Sequence, residues 1–151
     1  MSTMMSGGCA CGAIRYECDA EPMFMWVCHC RDCQRSTGGG GAVNVVFPKL
    51  AVRFIKGEPK YSARVGTSGK NTYRGFCPEC GSPVAAKADL IPDIQGLSAA
   101  GFDDPSGFKL VAHIWTASAQ LWDYQSPDLS KFETTPTAEE LSELMKLARV
   151  L

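Results

Sequence analysis

The chain has 151 residues, of which 45% are hydrophobic and 21% are charged. This length suits one domain with its own core, and the composition is that of a globular protein and does not indicate disorder. Fifteen basic and sixteen acidic residues give a formal net charge of −1, which provides no electrostatic reason to expect a nucleic-acid partner.

The N-terminal sequence MSTMMSGG lacks the basic and apolar regions of a signal peptide. No stretch approaches the ~18 apolar residues of a membrane span. We therefore expect a cytoplasmic protein without a membrane partner, folded as one domain over residues 1–151. Eight cysteines are unusual in that reducing compartment, where they persist as thiols, metal ligands or redox centres.

Short runs of β-branched and aromatic residues, bounded by Gly, Pro, Asp and Ser, predict strands along most of the chain. In chain order they are AIRYEC (13–18), MFMWVCH (23–29), AVNVVFP (42–48), AVRFIKG (51–57), TYRGFC (72–77), SPVAAKA (82–88) and FKLVAHIW (108–115). We expect a mainly β fold in which most strands are antiparallel.

Residues 137–150 predict a C-terminal α-helix. Thr137 and Glu140 form a capping box, in which each side chain satisfies a free N–H of the first turn. Apolar residues follow at spacings of three and four: Leu141, Leu144, Met145, Ala148 and Leu151. This stripe packs on the sheet, or alternatively forms a contact between two copies of the chain in a homo-oligomer.

Two distant cysteine pairs, one C-x-C and one C-x-x-C, have the spacing of zinc ligands: Cys9, Cys11, Cys77 and Cys80. Residues two apart in a strand share a face, and the glycine after each pair (Gly12, Gly81) permits a tight turn. Together the pairs complete a tetrahedral site, which is closed and therefore structural. Structural zinc contributes on the order of 10 to 16 kcal/mol in small peptides, so we expect the fold to depend on it.

Three further cysteines, Cys28, Cys30 and Cys33 in C-H-C-x-x-C, are close enough to share one ion without distant residues. Three protein ligands and an open fourth position are the arrangement of catalytic zinc. Zinc lowers the pKa of a group that enters that position, and three thiolate ligands leave it thiophilic. The motif favours thiol exchange or transfer, with two zinc ions per chain in total.

Two residues could still close this second site. His29 lies between two ligands, although its ring points to the opposite face if the segment is extended. Cys18 could approach from a neighbouring strand, or could serve as a small apolar side chain. A closed site would indicate a non-enzymatic zinc-binding module for partner binding or metal handling. A reversible disulfide between Cys30 and Cys33 would indicate a thiol-redox protein.

Other residues near the triad are compatible with a small-molecule site without being specific for one. Arg31 and Arg35 flank the ligands or are solvated surface groups. Glycines 38–41 allow close backbone approach or form a flexible turn, and no Gly-Lys-Ser/Thr follows them, which excludes a phosphate-binding loop. His113 lies in an apolar run and is predicted to be a core histidine. The tryptophans are also predicted to be core residues: Trp26, Trp115 and Trp122.

These motifs together resemble the glutathione-dependent formaldehyde-activating family, which includes S-(hydroxymethyl)glutathione synthase and the centromere protein V domain. The matching segments extend over about residues 7–132: GGCACGAIRYE, CHCRDCQRSTGGGGAVNVVF, a G-E-P-x-x-Y segment at Gly57–Tyr61, FCPECGSPV and AAGFDDPSGFKLVAHIWTASAQLWDY. The resemblance implies a β-tent of small antiparallel sheets with zinc at their edges. It implies structural zinc at the four paired cysteines and catalytic zinc at the triad.

The resemblance also implies the activity. In the named reaction, glutathione and formaldehyde combine to S-hydroxymethylglutathione, or the reverse occurs. The leading hypothesis is a zinc carbon–sulfur lyase that joins a thiol such as glutathione to formaldehyde or another small aldehyde at Cys28, Cys30 and Cys33. The C-terminal helix and Cys18 lie outside the matching motifs and inherit no role.

Overall fold

The computed structural model describes residues 4–150. In this part of the chain the strands are β1 (Met5–Gly8), β2 (Arg15–Cys18), β3 (Phe24–Cys28), β4 (Ala42–Pro48), β5 (Val52–Lys56), β6 (Lys60–Val65), β7 (Asn71–Phe76), β8 (Pro83–Ala88), β9 (Ile94–Ser98), β10 (Ala112–Ile114) and β11 (Ser130–Lys131). The α-helices are α1 (Arg31–Thr37) and α2 (Ala138–Val150). The prediction of a mainly β fold with a C-terminal helix is confirmed.

The strands form two sheets. β1, β2 and β5 make a three-stranded sheet, and the second sheet has the order β11-β10-β3-β4-β9-β8-β7-β6. Most neighbours are antiparallel, but β10 runs parallel to both β3 and β11. A parallel pair needs a long connection, and residues 99–111 supply one by carrying the chain from β9 across β4 and β3 to β10.

The core is arranged on both sides of β4. Residues 44–47 of this strand are all buried, and alternate side chains enter two different apolar clusters. Val45 and Phe47 belong to the first cluster, which includes side chains of β2. Val46 belongs to the second, which includes side chains of β3 and α2. Burial on both faces explains why this strand has an almost unbroken apolar sequence.

α2 begins at the predicted capping box and packs on the second apolar cluster. The Thr137 N–H donates to Glu140 Oε2 at 2.7 Å, and the Glu140 N–H donates to Thr137 Oγ1 at 3.2 Å. Leu144 is 1% exposed within the cluster. The residues packed beside it are Leu141, Met145 and Ala148. The stripe is therefore used within the chain, while Leu151, its last predicted member, lies outside the described residues.

α1 is absent from the sequence predictions. Its N-cap is Cys30, and it ends at Gly38, whose φ of +76° is in the left-handed region that favours glycine. Asp32 in the first turn and this glycine are ordinary helix signals. They are obscured because the segment is short and its cysteines and glycines dominate the pattern. Four strands are also absent from the sequence predictions: β1, β6, β9 and β11. β1 (MSGG) and β9 (IQGLS) contain few β-branched residues, so they lack the composition that predicts a strand.

The tryptophans have different environments. Trp26 is buried, and Trp115 packs partly buried against the second cluster. The prediction that Trp122 is a core residue is wrong, because this side chain is 71% exposed. Among residues 4–150 there is also no helix with the length and apolar character needed to cross a membrane.

Candidate functional site

Two turns bring four cysteines together. The C-x-C pair lies in the turn after β1, not in a strand as the sequence predicts, and the C-x-x-C pair lies in the turn between β7 and β8. The glycine after each pair, Gly12 or Gly81, has a φ of +77°, as its predicted role in a tight turn requires. The four-cysteine cluster consists of Cys9, Cys11, Cys77 and Cys80.

The sulfur positions of the four-cysteine cluster fit a tetrahedral zinc ion. All four Sγ atoms lie within 4.8 Å of one another. Cys11 Sγ is 3.6 Å from Cys9 Sγ and 3.9 Å from Cys77 Sγ. Zinc–sulfur bonds of about 2.3 Å in a tetrahedron place neighbouring sulfurs about 3.8 Å apart. The cluster could therefore hold one zinc ion with little rearrangement.

Hydrogen-bond donors surround these sulfurs. The Ile14 N–H donates to Cys9 Sγ at 3.2 Å, and Ser82 Oγ lies 3.1 Å from Cys80 Sγ. The Ala10 N–H donates to Ser82 Oγ, which links the two turns. Hydrogen bonds from the side chain and backbone of Ser82 lower the pKa of Cys80 to about 5. Donors that favour the thiolate are the expected surroundings of metal-binding cysteines.

The other three cysteines meet where β3 ends and α1 begins. Cys28 is the last residue of β3, Cys30 is the N-cap of α1, and Cys33 lies in the first turn of that helix. Their Sγ atoms lie within 4.8 Å of one another, and this group is the three-cysteine cluster. Cys28 and Cys33 are buried, whereas Cys30 is partly buried. The short helix converts the C-x-C-x-x-C spacing into converging sulfur atoms.

The thiols of the three-cysteine cluster share negative charge unequally. Hydrogen bonds from Cys28 and Cys33 hold the pKa of Cys30 well below its usual value. Hydrogen bonding with Cys30 and Cys33 raises the pKa of Cys28 strongly. All three thiols ionise together only when a cation compensates their mutual repulsion. An all-sulfur donor set fits zinc in that role.

A partly buried arginine reaches the same sulfurs from β7. Arg74 Nη2 donates to Cys30 Sγ and to Cys33 Sγ, each at 3.4 Å. Burial lowers the pKa of Arg74, but the Cys33 and Cys30 thiolates and the Asp32 carboxylate outweigh burial and raise this pKa above its usual value. The sequence does not single out Arg74, because it lies in an ordinary strand 41 residues beyond Cys33.

The structure places neither of the two alternative ligands in the three-cysteine cluster. His29 Nε2 lies 2.8 Å from His113 Nδ1, and His29 Nδ1 lies 3.1 Å from both Gly40 O and Asp123 Oδ2. Cys18 is fully buried in the first apolar cluster, where burial raises its pKa to about 12. Among the described residues, the atoms close enough to share an ion include neither side chain.

His113 is the buried histidine that its apolar surroundings predict. It is 4% exposed, and burial together with the nearby His29 and Lys131 lowers its pKa. Its Nδ1 contacts His29, while its Nε2 is buried and has no hydrogen-bond partner within residues 4–150. His113 and Asp123 together fix the ring of His29, and this residue lies between two candidate ligands. The sequence gives no signal for the contribution of Asp123.

The glycine run after α1 packs closely against the rest of the chain. A Cβ atom at Gly40 would lie 2.2 Å from Asp123 Cγ, and one at Gly41 would lie 2.7 Å from the Cys28 carbonyl oxygen. At these two positions the space that a side chain would need is already filled by other atoms of the protein, namely the Asp123 side chain and the Cys28 backbone. The expectation that the run leaves room for a small molecule is therefore not met at Gly40 and Gly41.

An open cleft of about 1590 Å³ reaches the three-cysteine cluster. Its lining contains more basic than acidic side chains, with Arg15, Arg31, Arg35, Arg64, Lys70, Arg74 and Lys87 against Asp32 and Asp103. Arg31 and Arg35 are exposed, which agrees with their interpretation as surface groups. A cleft with an excess of positive charge attracts anionic ligands.

One known protein with a similar sequence agrees with the resemblance drawn from the motifs, and one solved structure shares the fold. The "Putative glutathione-dependent formaldehyde-activating enzyme" of Halomonas elongata is 29% identical over 85 residues, and the match spans about half of each chain, 54% of this one and 54% of that one. A crystal structure of a Rhodobacter sphaeroides protein has a TM-score of 0.54 at 18% identity. It covers 85% of this chain and 99% of its own, and it shows a shared fold.

A family model described as glutathione-dependent formaldehyde-activating enzyme matches residues 4–118. The matched region contains both cysteine clusters and ends before α2, as the motifs predict, although it ends earlier than residue 132. Because this model covers most of the chain, the protein belongs to the glutathione-dependent formaldehyde-activating family.

Proposed function

We propose that this protein is a zinc-dependent carbon–sulfur lyase of the S-(hydroxymethyl)glutathione synthase type. It joins glutathione or a related thiol to formaldehyde or another small aldehyde. The observation that carries the proposal is the three-cysteine cluster at an open, basic cleft. Membership of the family and the name of the Halomonas elongata relative support the choice of glutathione and formaldehyde.

The two clusters have different roles in this proposal. Cys9, Cys11, Cys77 and Cys80 hold a structural ion with all four positions filled, whereas Cys28, Cys30 and Cys33 hold the catalytic ion. Zinc bound by three thiolates supplies a thiophilic Lewis acid, which favours the thiolate form of a fourth sulfur ligand at neutral pH. Helix α1, whose N-cap is Cys30, and the hydrogen bonds of His29 hold the three sulfur ligands in place.

The reaction balances without an oxidant or a reductant. The thiol sulfur forms a bond to the aldehyde carbon, the carbonyl π electrons move to oxygen, and that oxygen takes up a proton in place of the one lost by the thiol. The reverse reaction breaks the same carbon–sulfur bond. The protein has to keep the thiol ionised and to bring it close to the aldehyde, which converts a bimolecular encounter into a positioned one.

The charge of the cleft supports glutathione as the thiol. Glutathione carries two carboxylates at neutral pH, and the cleft lining has an excess of basic side chains. Several of the cations have partners already. Arg15 pairs with Asp103, Arg64 lies 3.7 Å from Asp32, Lys87 lies over the Tyr61 ring, and Arg74 donates to two cysteine sulfurs. Positive groups remain along the walls, so an anionic thiol is favoured over a cationic one.

Zinc stoichiometry combined with X-ray absorption at the metal tests this proposal. We expect two zinc ions per chain, and excess glutathione should add one sulfur ligand to one of them. A single ion per chain at the four-cysteine cluster, with a reversible Cys30–Cys33 disulfide, would favour the thiol-redox alternative. Two ions that both keep their ligands unchanged in glutathione would favour a non-enzymatic zinc module.

Exchange spectroscopy measures the reaction itself. Zinc-loaded protein should accelerate the interconversion of glutathione, formaldehyde and S-hydroxymethylglutathione. Cys33→Ser should reduce this acceleration by about 100-fold or more, because it changes a direct ligand. Cys18→Ala is the matched control, since Cys18 lies outside both clusters, and it should retain the rate. The proposal fails if the wild type gives no acceleration with several thiols and aldehydes.

A further inference from the structure

Arg74 contacts the three-cysteine cluster although it is not one of the candidate metal ligands. Arg74 lies in the middle of β7, and its Nη2 donates to the sulfurs of both Cys30 and Cys33 at 3.4 Å. Those cysteines lie 44 and 41 residues earlier in the chain. An arginine therefore reaches the three-cysteine cluster from a different part of the sheet, and its charge lies directly beside two of the three sulfurs.

The other two nitrogens of the Arg74 side chain make no hydrogen bond to the described residues. Arg74 Nε and Nη1 are buried and have no hydrogen-bond partner within residues 4–150. One acidic residue that influences Arg74 is Asp32, whose carboxylate already lies 3.7 Å from Arg64 Nε. Burying a cation without a carboxylate partner is costly. The groups that compensate this cost are the sulfur atoms of the cluster.

The charge of the cluster explains why a cation is useful there. Three thiolates and one divalent ion carry a formal charge of −1, and an anionic fourth ligand would bring it to −2. A neutral fourth ligand would leave it unchanged. The +1 charge of Arg74 brings the total to 0 with a neutral fourth ligand and to −1 with an anionic one. The attraction between Arg74 and the cluster is strong because the site is partly buried. The positive charge therefore favours an anion over a neutral molecule at the open position.

We propose that Arg74 is the charge-balancing residue of the three-cysteine site and makes it selective for a thiolate as the fourth ligand. This inference rests on the proposed function, because it assigns the open position to a thiol. Arg74 acts through the negative charge of the sulfurs. A carboxylate anchor is the competing role, but the Nε and Nη1 atoms that would serve it are closed off from solvent in the free protein.

The test uses full-length protein with cobalt(II) in place of zinc, so that sulfur-to-metal charge-transfer absorption reports thiol binding. The titrant is 2-mercaptoethanol, which has no charged group other than its ionised thiol. Arg74→Gln should weaken binding at least about tenfold, whereas Arg74→Lys, which keeps the charge, should stay within about threefold of wild type. Arg64→Gln removes an exposed cation from the same cleft and should change binding less than about twofold.

The comparison between thiols separates the two roles of Arg74. If Arg74→Gln leaves 2-mercaptoethanol binding unchanged but weakens glutathione binding, the residue is a carboxylate anchor and the proposal is overturned. Equal weakening for both thiols is the expected result. S-methylglutathione, which keeps both carboxylates but cannot form a thiolate, should bind the wild type and Arg74→Gln equally.

Zinc affinity supplies a readout that needs no thiol. Competition with a chelator should show that Arg74→Gln holds the ion at the three-cysteine cluster about tenfold more weakly, because Arg74 donates to Cys30 Sγ and Cys33 Sγ and stabilises the thiolate forms in which they would bind the ion. The ion at the four-cysteine cluster is an internal control for folding and should be retained. If the wild type binds zinc but no thiol, the proposed function fails. The zinc competition still tests the role of Arg74 in that case. Equal zinc affinity of wild type and Arg74→Gln overturns the proposal that Arg74 balances the charge of the cluster.

Discussion

His29 lies between two candidate zinc ligands, and the structure gives it a supporting role. The ring is 1% exposed, and its two nitrogens contact His113, Gly40 and Asp123. If Nδ1 carries the proton, it donates to Gly40 O or to Asp123 Oδ2, and Nε2 accepts from the Nδ1–H of His113. With these tautomers the one ring nitrogen left without a partner among the described residues is His113 Nε2, which is an acceptor. An unpaired buried acceptor costs less free energy than an unpaired buried donor. Both ring nitrogens are therefore used in contacts within the protein that hold the segment between Cys28 and Cys30 in place.

Gly40→Ala tests this network. The new Cβ would lie 2.2 Å from Asp123 Cγ, so the carboxylate has to leave His29. We expect the free energy of unfolding of the zinc-loaded protein to fall by about 1–3 kcal/mol in urea titrations. Gly39→Ala is the control, because its Cβ would meet only Thr37 Oγ1 at 3.9 Å, and it should cost less than about 1 kcal/mol. Equal stability of the two variants would contradict this account of the loop.

α1 and α2 show two ways in which a helix supports a site. α1 has only seven residues and is stabilised by its surroundings, since Gln34 Nε2 donates to the carbonyls of His29 and Ser118. α2 is longer, has its own capping box and covers β3, the strand that ends in Cys28. The amphipathic pattern makes α2 predictable from sequence, whereas α1 depends on tertiary contacts that no local pattern reveals.

Leu144→Ala tests the packing of α2. Leu144 is 1% exposed in the second apolar cluster, and truncation of such a leucine leaves a cavity. We expect a loss of about 2–5 kcal/mol in the free energy of unfolding. Leu147→Ala on the same helix is the matched control, because Leu147 is 48% exposed, and it should cost less than about 1 kcal/mol. A comparable loss for both variants would mean that the helix is not anchored through Leu144.

The four-cysteine cluster joins distant parts of the whole molecule. It connects the turn after β1, in the three-stranded sheet, to the turn between β7 and β8, in the eight-stranded sheet. The first apolar cluster also joins the two sheets, since it contains side chains of β2 and of β4, and the Arg15–Asp103 ion pair at 2.5 Å adds a contact from β2 to the segment after β9. An exposed ion pair contributes at most about 1 kcal/mol, so metal at this junction would stabilise the molecule far more than this pair does.

Cys77→Ser tests the contribution of this junction. We expect insoluble or unfolded protein, because structural zinc contributes on the order of 10 kcal/mol and the whole domain has about 5–15 kcal/mol of stability. A strong chelator should unfold the wild type in the same way, as followed by circular dichroism. Cys18→Ala should remain folded with two ions, since Cys18 belongs to neither cluster. Soluble, folded Cys77→Ser protein with full zinc content would exclude a structural site there.

The cysteine motifs, the β class and the C-terminal helix could be read from sequence, because each depends on short-range spacing or periodicity. Tight C-x-C and C-x-x-C pairs have the spacing of metal ligands, and Thr137 and Glu140 mark a helix start without help, whereas the meeting of the two distant pairs depends on the fold. Only the tertiary structure decided the partners that come from other strands. Arg74 reaches Cys30 and Cys33 from β7, and Asp123 reaches His29, because sheet order and loop packing set these contacts. Contacts over such sequence separations depend on the closed fold, and a local pattern does not encode them.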